Sequence, residues 1–297
     1  MRVLVLTLFL VLAACDEPMI IANVPAVITD PSKIDEAFPP SIVELGIDSH
    51  GARMNGHIYL ANGPGPHPTV ILLHGFPGNE KNLDLAQAFR RAGWNVLFFH
   101  YRGAWGSEGN FTFSGGIEDV ASAIKFLRDP ANENLRVDPS RIALVGHSMG
   151  GFMALQGGAR DEQVKCVVTM AAANFGERAV LSKTDPAALE GFKQYSDQLI
   201  MLKGFNGETA LAELSSADES FDNQSLAPKL AGKKLFLIGA ERDQAVDIGV
   251  HERHMRAYLD SAIPQMTELR LDADHSFSWH RLRLAHEITD WLNRECR

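Results

Sequence analysis

Short apolar runs recur along this chain, separated by longer stretches whose apolar residues follow a helical period. Thr69-Val70-Ile71-Leu72-Leu73 is continuously apolar after its first residue, as a strand covered on both faces requires. Comparable strand signals stand at 95–99, 141–145, 165–172, 234–238 and 267–271. Helical patterns occupy 83–92, 117–128, a stretch from Gly150 onward, 250–261 and 282–293. The segments 41–48 and 57–61 predict an antiparallel opening pair. The β-α alternation after them predicts an α/β fold, a mostly parallel sheet with helices on both faces. The rhythm fails once, between 173 and 230, where strand signals stop and helical stretches stand at 186–202 and 208–214. We read 174–230 as a small helical cap above the C-terminal ends of the strands, where open α/β sheets bind ligands. Its apolar residues Leu199, Ile200, Met201, Leu202 and Phe205 either line an acyl pocket or bury the insert onto the body.

Composition adds two exclusions and one address. A chain of 297 residues with 45% hydrophobic residues can cover a large sheet. A net charge of −9 and the lack of a basic stripe argue against a nucleic-acid partner. At the N-terminus, Arg2 precedes an apolar run from Val3 to Leu12 and then Ala13-Ala14, the layout of an export signal over 1–14. Leu12-Ala13-Ala14-Cys15 resembles a bacterial lipobox. That resemblance implies lipidation of Cys15 and a cell-envelope protein anchored to a membrane by acyl chains; the plainer alternative is a cleaved signal with an incidental cysteine. Residues 15–40, with Pro18, Pro25, Pro31, Pro39 and Pro40, read as a tether to a domain over 41–297. Of the remaining cysteines, Cys166 is most simply a buried small hydrophobe, with a Cys166–Cys296 disulfide as the alternative.

The chemistry concentrates at Gly146-His147-Ser148-Met149-Gly150-Gly151, directly after the apolar run 141–145. This G-x-S-x-G pattern sits between a strand and a helix, where a tight reversal exposes a serine and glycines remove clashing Cβ atoms. A serine needs a base to act as a nucleophile. Asp272-Ala273-Asp274-His275-Ser276-Phe277 comes after the last strand and nominates His275, with His280 as runner-up. Gly239-Ala240-Glu241-Arg242-Asp243-Gln244-Ala245-Val246 comes after the strand at 234–238 and offers Asp243, with Glu241 and Asp247 as competing carboxylates.

The order Ser148, acid, histidine resembles the α/β-hydrolase fold family, and the motifs run from about residue 41 to the end of the chain. The resemblance implies a Ser148-Asp243-His275 triad. It also implies an oxyanion hole from the N–H groups of Met149 and of Phe76 in His74-Gly75-Phe76-Pro77-Gly78, with a cis Phe76–Pro77 bond. His74 then reads as a structural hydrogen-bonding residue. Tyr101-Arg102-Gly103-Ala104-Trp105-Gly106-Ser107-Glu108-Gly109 resembles a loop of esterase-like and prolyl-oligopeptidase-like members, with Trp105 as an insertion. Arg102 there either binds a substrate carboxylate or holds loops together. His251 and His254 are three apart, not four as in zinc-peptidase helices, and read as a solvated helix face.

Together the motifs and the resemblance imply a serine hydrolase cleaving a carboxylic ester through an acyl-enzyme, with no cofactor and no metal. A peptidase of prolyl-oligopeptidase-like type acting on a short peptide is second, and thioesterase and acyltransferase variants stay open. Members that attack with an aspartate are excluded by Ser148. The reading from a different class is a non-catalytic, envelope-anchored binding protein on the same fold.

Overall fold

The computed structural model describes residues 26–261, 263 and 265–296; the export signal, Cys15 and the first part of the tether lie outside the described residues. The chain opens with a hairpin of β1 (Ser41–Ser49) and β2 (Ala52–Leu60). Next come β3 (His67–Leu73), α1 (Leu83–Arg91), β4 (Asn95–Phe99), α2 (Phe113–Arg128), β5 (Val137–His147), α3 (Met149–Arg160) and β6 (Cys166–Met170). A helical segment holds α4 (Phe175–Thr184), α5 (Glu190–Ser196), α6 (Gly207–Ser216) and the single turn α7 (Ala227–Leu230). The chain closes with β7 (Lys234–Ala240), α8 (Ile248–Asp260), β8 (Met266–Leu271) and α9 (Arg281–Glu295). Among the described residues the strands form one sheet in the order β1-β2-β4-β3-β5-β6-β7-β8. Pairing is antiparallel at β1–β2 and β2–β4 and parallel from β4 through β8.

Period-two alternation sends the strand side chains to two separate cores. Ile71, Leu97, Phe99 and Leu144 pack with Ile117, Val120, Phe152 and Leu155 of α2 and α3. Their neighbours Val70, Val96, Phe98 and Val145 pack with Leu85 and Phe89 of α1 and Leu284, Ile288 and Trp291 of α9. Each fully buried side chain of this size stabilises by about 1.5–3 kcal/mol, so both faces need their helices.

Two helices depart from the sequence pattern, and β2 and β5 begin at Ala52 and Val137, five and four residues ahead of the expected strands. Helix α2 starts at Phe113, because Thr112 caps it with a 2.9 Å bond from the Gly115 N–H. The Glu213 carboxylate of α6 also accepts the Phe113 and Ser114 N–H groups at 2.9 and 2.8 Å, matching the positive end of the helix. The helix expected over 186–202 is instead a 3-10 turn at Pro186–Leu189 followed by the short α5. Beyond it the backbone of Met201 and Lys203 bonds to the loop after β4: Trp105 N–H to the Met201 carbonyl, Lys203 N–H to the Gly103 carbonyl, and Phe111 N–H to the Lys203 carbonyl. Those tertiary bonds replace the helical ones.

Cys166 does not remain a thiol: it is disulfide-bonded to Cys296, with Cα atoms 6.1 Å apart. The bond staples the end of α9 to the first residue of β6, at the opposite end of the parallel strands from Ser148. Because it closes a separation of 130 residues, it constrains the unfolded chain strongly. Cys296→Ser should lower the unfolding free energy by about 2–4 kcal/mol in guanidinium titration. Reductant should shift the midpoint of the parent protein and leave the variant unmoved.

Candidate active site

Ser148 stands between β5 and α3 with φ 57° and ψ −119°, a conformation that costs a non-glycine residue about 1–3 kcal/mol and persists where surroundings enforce it. The surroundings are backbone. A Cβ on Gly146 would lie 1.9 Å from the Gly150 carbonyl oxygen, and one on Gly150 would lie 2.0 Å from that of Leu73. The turn is therefore pressed against the end of β3. The Ser148 N–H donates to the Met170 carbonyl at 2.9 Å, and the Ser148 carbonyl accepts from Ala173 at 3.0 Å.

His275 lies in the loop after β8, and its Nδ1–H donates to Asp243 Oδ2 at 2.6 Å. The Asp243 side chain is 1% exposed, and its other oxygen accepts the Ala245 and Val246 N–H groups at 2.8 Å each. The carboxylate is thus oriented by its own turn before it meets the imidazole. Glu241 N–H donates to the Leu271 carbonyl and Arg242 N–H to that of Ala273, tying the acid loop to the histidine loop. The Arg242–Asp272 ion pair joins the same loops at the surface. The competitors are occupied elsewhere. Asp247 caps α8 through the Gly249 N–H at 2.8 Å, Glu241 pairs with Arg270, and His280, just ahead of α9, bonds the Asp272 carbonyl through Nε2.

Ser148 and His275 both line a cavity of about 350 Å³ together with Phe76 and Met149. Among the described residues, neither the Phe76 nor the Met149 N–H donates to a protein acceptor. The Phe76–Pro77 peptide is cis. The Phe76 ring packs against Phe113, Phe192 and Phe205 with centroids 5.7, 5.9 and 5.5 Å away, so the loop is held by aromatic contacts. Trp105 extends that support, its Nε1–H donating to the Pro77 carbonyl at 2.7 Å. His74 is buried and bonds the Gly75 carbonyl at 2.8 Å, and burial pulls its pKa down to about 4.

Other residues behave differently from their sequence patterns. Arg102 ties loops: it bonds Asp119, the Gly115 carbonyl and Glu118, and it does not line the cavity. None of Leu199, Ile200, Met201, Leu202 and Phe205 lines the cavity. Leu199, Leu202 and Phe205 are buried against the body, and Ile200 is 96% exposed. Phe175, Arg178, Phe192 and Tyr195 of α4 and α5 form that wall instead, on helices too short for periodicity to announce. His251 and His254 are buried, not solvated, because α8 turns that face to the body. His251 bonds Glu268 at 3.0 Å, and His254 stacks on Tyr258.

His147 was legible only as a variable position of the motif. Buried beside His275, it donates Nε2–H to the His275 carbonyl at 2.7 Å and so anchors the loop that carries that residue. Burial, reinforced by the neighbouring His275, pulls its pKa to about 3 and keeps it neutral.

A family model for the alpha/beta hydrolase fold matches residues 68–218, half of the chain. The chain belongs to the α/β-hydrolase fold family. An uncharacterised 31.7 kDa protein of the traX-finO intergenic region of Escherichia coli is 27% identical over 172 residues, 56% of this chain and 59% of that protein. The chain spans about half the length of the curated relatives it matches. Among solved structures, Pyrococcus furiosus esterase Pf2001 is similar with a TM-score of 0.63 and 20% identity, covering 88% of this α/β-hydrolase and 93% of that chain. Pyrococcus horikoshii acylaminoacyl peptidase is similar with a TM-score of 0.62 and 14% identity, over 86% of this chain and 41% of that one.

The buried histidines set a pH dependence of stability. Burial lowers the pKa of His74 and His254 to about 4 and of His147 to about 3, against 6.5 for a free side chain. Below 6.5 the unfolded chain takes up protons that the folded protein refuses. Stability is therefore fully present above pH 6.5 and falls as pH drops toward 4, by up to about 1.4 kcal/mol per pH unit for each histidine. Denaturant titrations across this window should show the slope, and His254→Leu, away from the cavity, should make it shallower.

Proposed function

We propose that this α/β-hydrolase is a serine hydrolase that cleaves carboxylic esters by acyl transfer to water. The observation that carries the reading is the His275–Asp243 bond at 2.6 Å beside a cavity shared by Ser148, His275 and two unengaged backbone N–H groups. Ser148 Oγ attacks the ester carbonyl while His275 Nε2 accepts its proton. Asp243 holds Nδ1–H and stabilises the imidazolium. The N–H groups of Phe76 and Met149 receive the developing oxyanion, each worth about 3 kcal/mol in such sites. His275 then returns the proton to the departing alkoxide, and water releases the acyl group by the same route. An ester asks least of the acid step, because an alkoxide leaves more readily than an amide nitrogen. Similarity to an esterase over nearly its whole length favours this reading over a peptidase, whose similar chain is matched over 41%.

We further propose export and lipid attachment through Cys15. The disulfide supports the export part of this reading, since such bonds persist in oxidising compartments.

Fluorophosphonate labelling followed by hydrolysis of p-nitrophenyl esters tests the chemistry. Ser148→Ala should abolish labelling and lower turnover about 10⁶-fold, and Asp243→Asn should lower it about 10⁴-fold. A folded parent protein that neither labels nor turns over short acyl esters would overturn the reading. His147→Phe should lower kcat about 10- to 100-fold by releasing the His275 loop, with KM nearly constant; steady-state kinetics separates the two.

A further inference from the structure

Acyl transfer to water leaves one feature of the cavity unaccounted for. Apart from the histidines, its charged lining residues are Glu80 and Arg178. Glu80 has a local role, accepting the Asn82 N–H at 2.7 Å where α1 begins. Arg178 has none. Among the described residues its guanidinium meets no carboxylate, carbonyl or other hydrogen-bond acceptor. The adjacent Glu177 is committed to Arg253 through two bonds of 2.7 Å. What Arg178 does meet is an aromatic face: its guanidinium carbon lies over the Phe192 ring, 4.8 Å from the centroid.

A partly buried guanidinium whose N–H donors meet no protein acceptor is left able to bond a group that enters the cavity. Burial depresses its pKa, and Glu177 offsets this in part, yet an arginine remains charged. The ring beneath it holds the head group within the cap and leaves its fork of donors for a planar, bidentate acceptor. Phe175, Phe192 and Tyr195 supply apolar wall on the same side of the cavity.

We propose that Arg178 is the specificity residue of this site and holds a carboxylate carried by the ester substrate. The proposal rests on the ester-hydrolase reading and names its substrate class: a monoester of a dicarboxylic acid, or the ester of an alcohol bearing a carboxylate. The remote carboxylate is unchanged by the reaction. The bond from Ser148 Oγ to the acyl carbon forms, the ester C–O bond breaks, and the alkoxide leaves with the proton held by His275.

The test compares kcat/KM of the full chain on matched esters. Mono-p-nitrophenyl glutarate against p-nitrophenyl valerate places the charge on the acyl side. 4-(Butyryloxy)benzoate against its methyl ester places it on the alcohol side. One anionic member should be preferred by about 10- to 100-fold, the range of a charge-assisted bond. In Arg178→Gln that ratio should collapse toward one, Arg178→Lys should keep part of it, and Arg178→Glu should invert it. Ratios cancel any general loss of activity or fold. A ratio near one in the parent protein for both pairs, or one that survives Arg178→Gln, overturns the proposal. If neutral esters are still turned over in a Ser148-dependent manner, the ester reading stands without it. Calorimetry in the Ser148→Ala background judges the anion site without turnover, using monomethyl against dimethyl glutarate and 4-(butyryloxy)benzoate against its methyl ester. The anionic member of one pair should bind about 10-fold or more tightly, and that advantage should vanish with Arg178→Gln; equal binding within both pairs rejects the anion site even if no ester is hydrolysed.

Discussion

Everything at this site depends on how closely the turn between β5 and α3 approaches the end of β3. Gly146 and Gly150 stand where a side chain would meet backbone oxygen at about half the normal contact distance. Packed so tightly, the turn has no room to relax, and Ser148 is held in a conformation it would leave on its own. The same contact sets the start of α3, and with it the direction of the Met149 N–H. The loop carrying Phe76 begins at the end of β3, so both donors and the hydroxyl share one backbone reference. Strain at Ser148 is local, and two apolar cores on opposite faces of the sheet provide the stability that sustains it.

The side of the site that holds Asp243 and His275 is built on another principle. Asp243 and His275 come from loops after β7 and β8, and those loops are tied by backbone bonds and an ion pair as well as by the carboxylate–imidazole contact. His147, from the elbow itself, bonds the His275 backbone. The elbow and the histidine loop therefore report on each other's position. Distortion of either is felt by both.

Much of this was legible in the sequence, for reasons that differ by residue. The strands of the parallel region show as continuous apolar runs because both their faces are covered. Ser148 is legible because glycine is obligatory around it, and Asp243 and His275 because each comes a short loop after a strand end. Arg178, Phe192 and Tyr195 were not legible: they sit on α4 and α5, whose few turns carry no clear period and whose docking depends on tertiary backbone bonds. The Cys166–Cys296 bond stood only as the second reading, because 130 residues separate the two cysteines and only the arrangement of β6 beside α9 brings them together. The buried pair His251 and His254 misled for a related reason, since polar residues on a helix face do not reveal which way that face turns.

The way the cap is fastened has a consequence for how such a protein changes over generations. Its attachment runs through main-chain bonds from 201–203 to 103–111, through Glu213 at the start of α2 and through buried side chains such as Leu199, Leu202 and Phe205, none of which lines the cavity. Of the residues facing the cavity from α4 and α5, Phe175 and Phe192 pack on Phe113 and Phe76, whereas Arg178 and the half-exposed Tyr195 can be exchanged with less cost to the cap. Variation at those two positions would reshape the cavity in small steps while the elbow beneath it stays as it is.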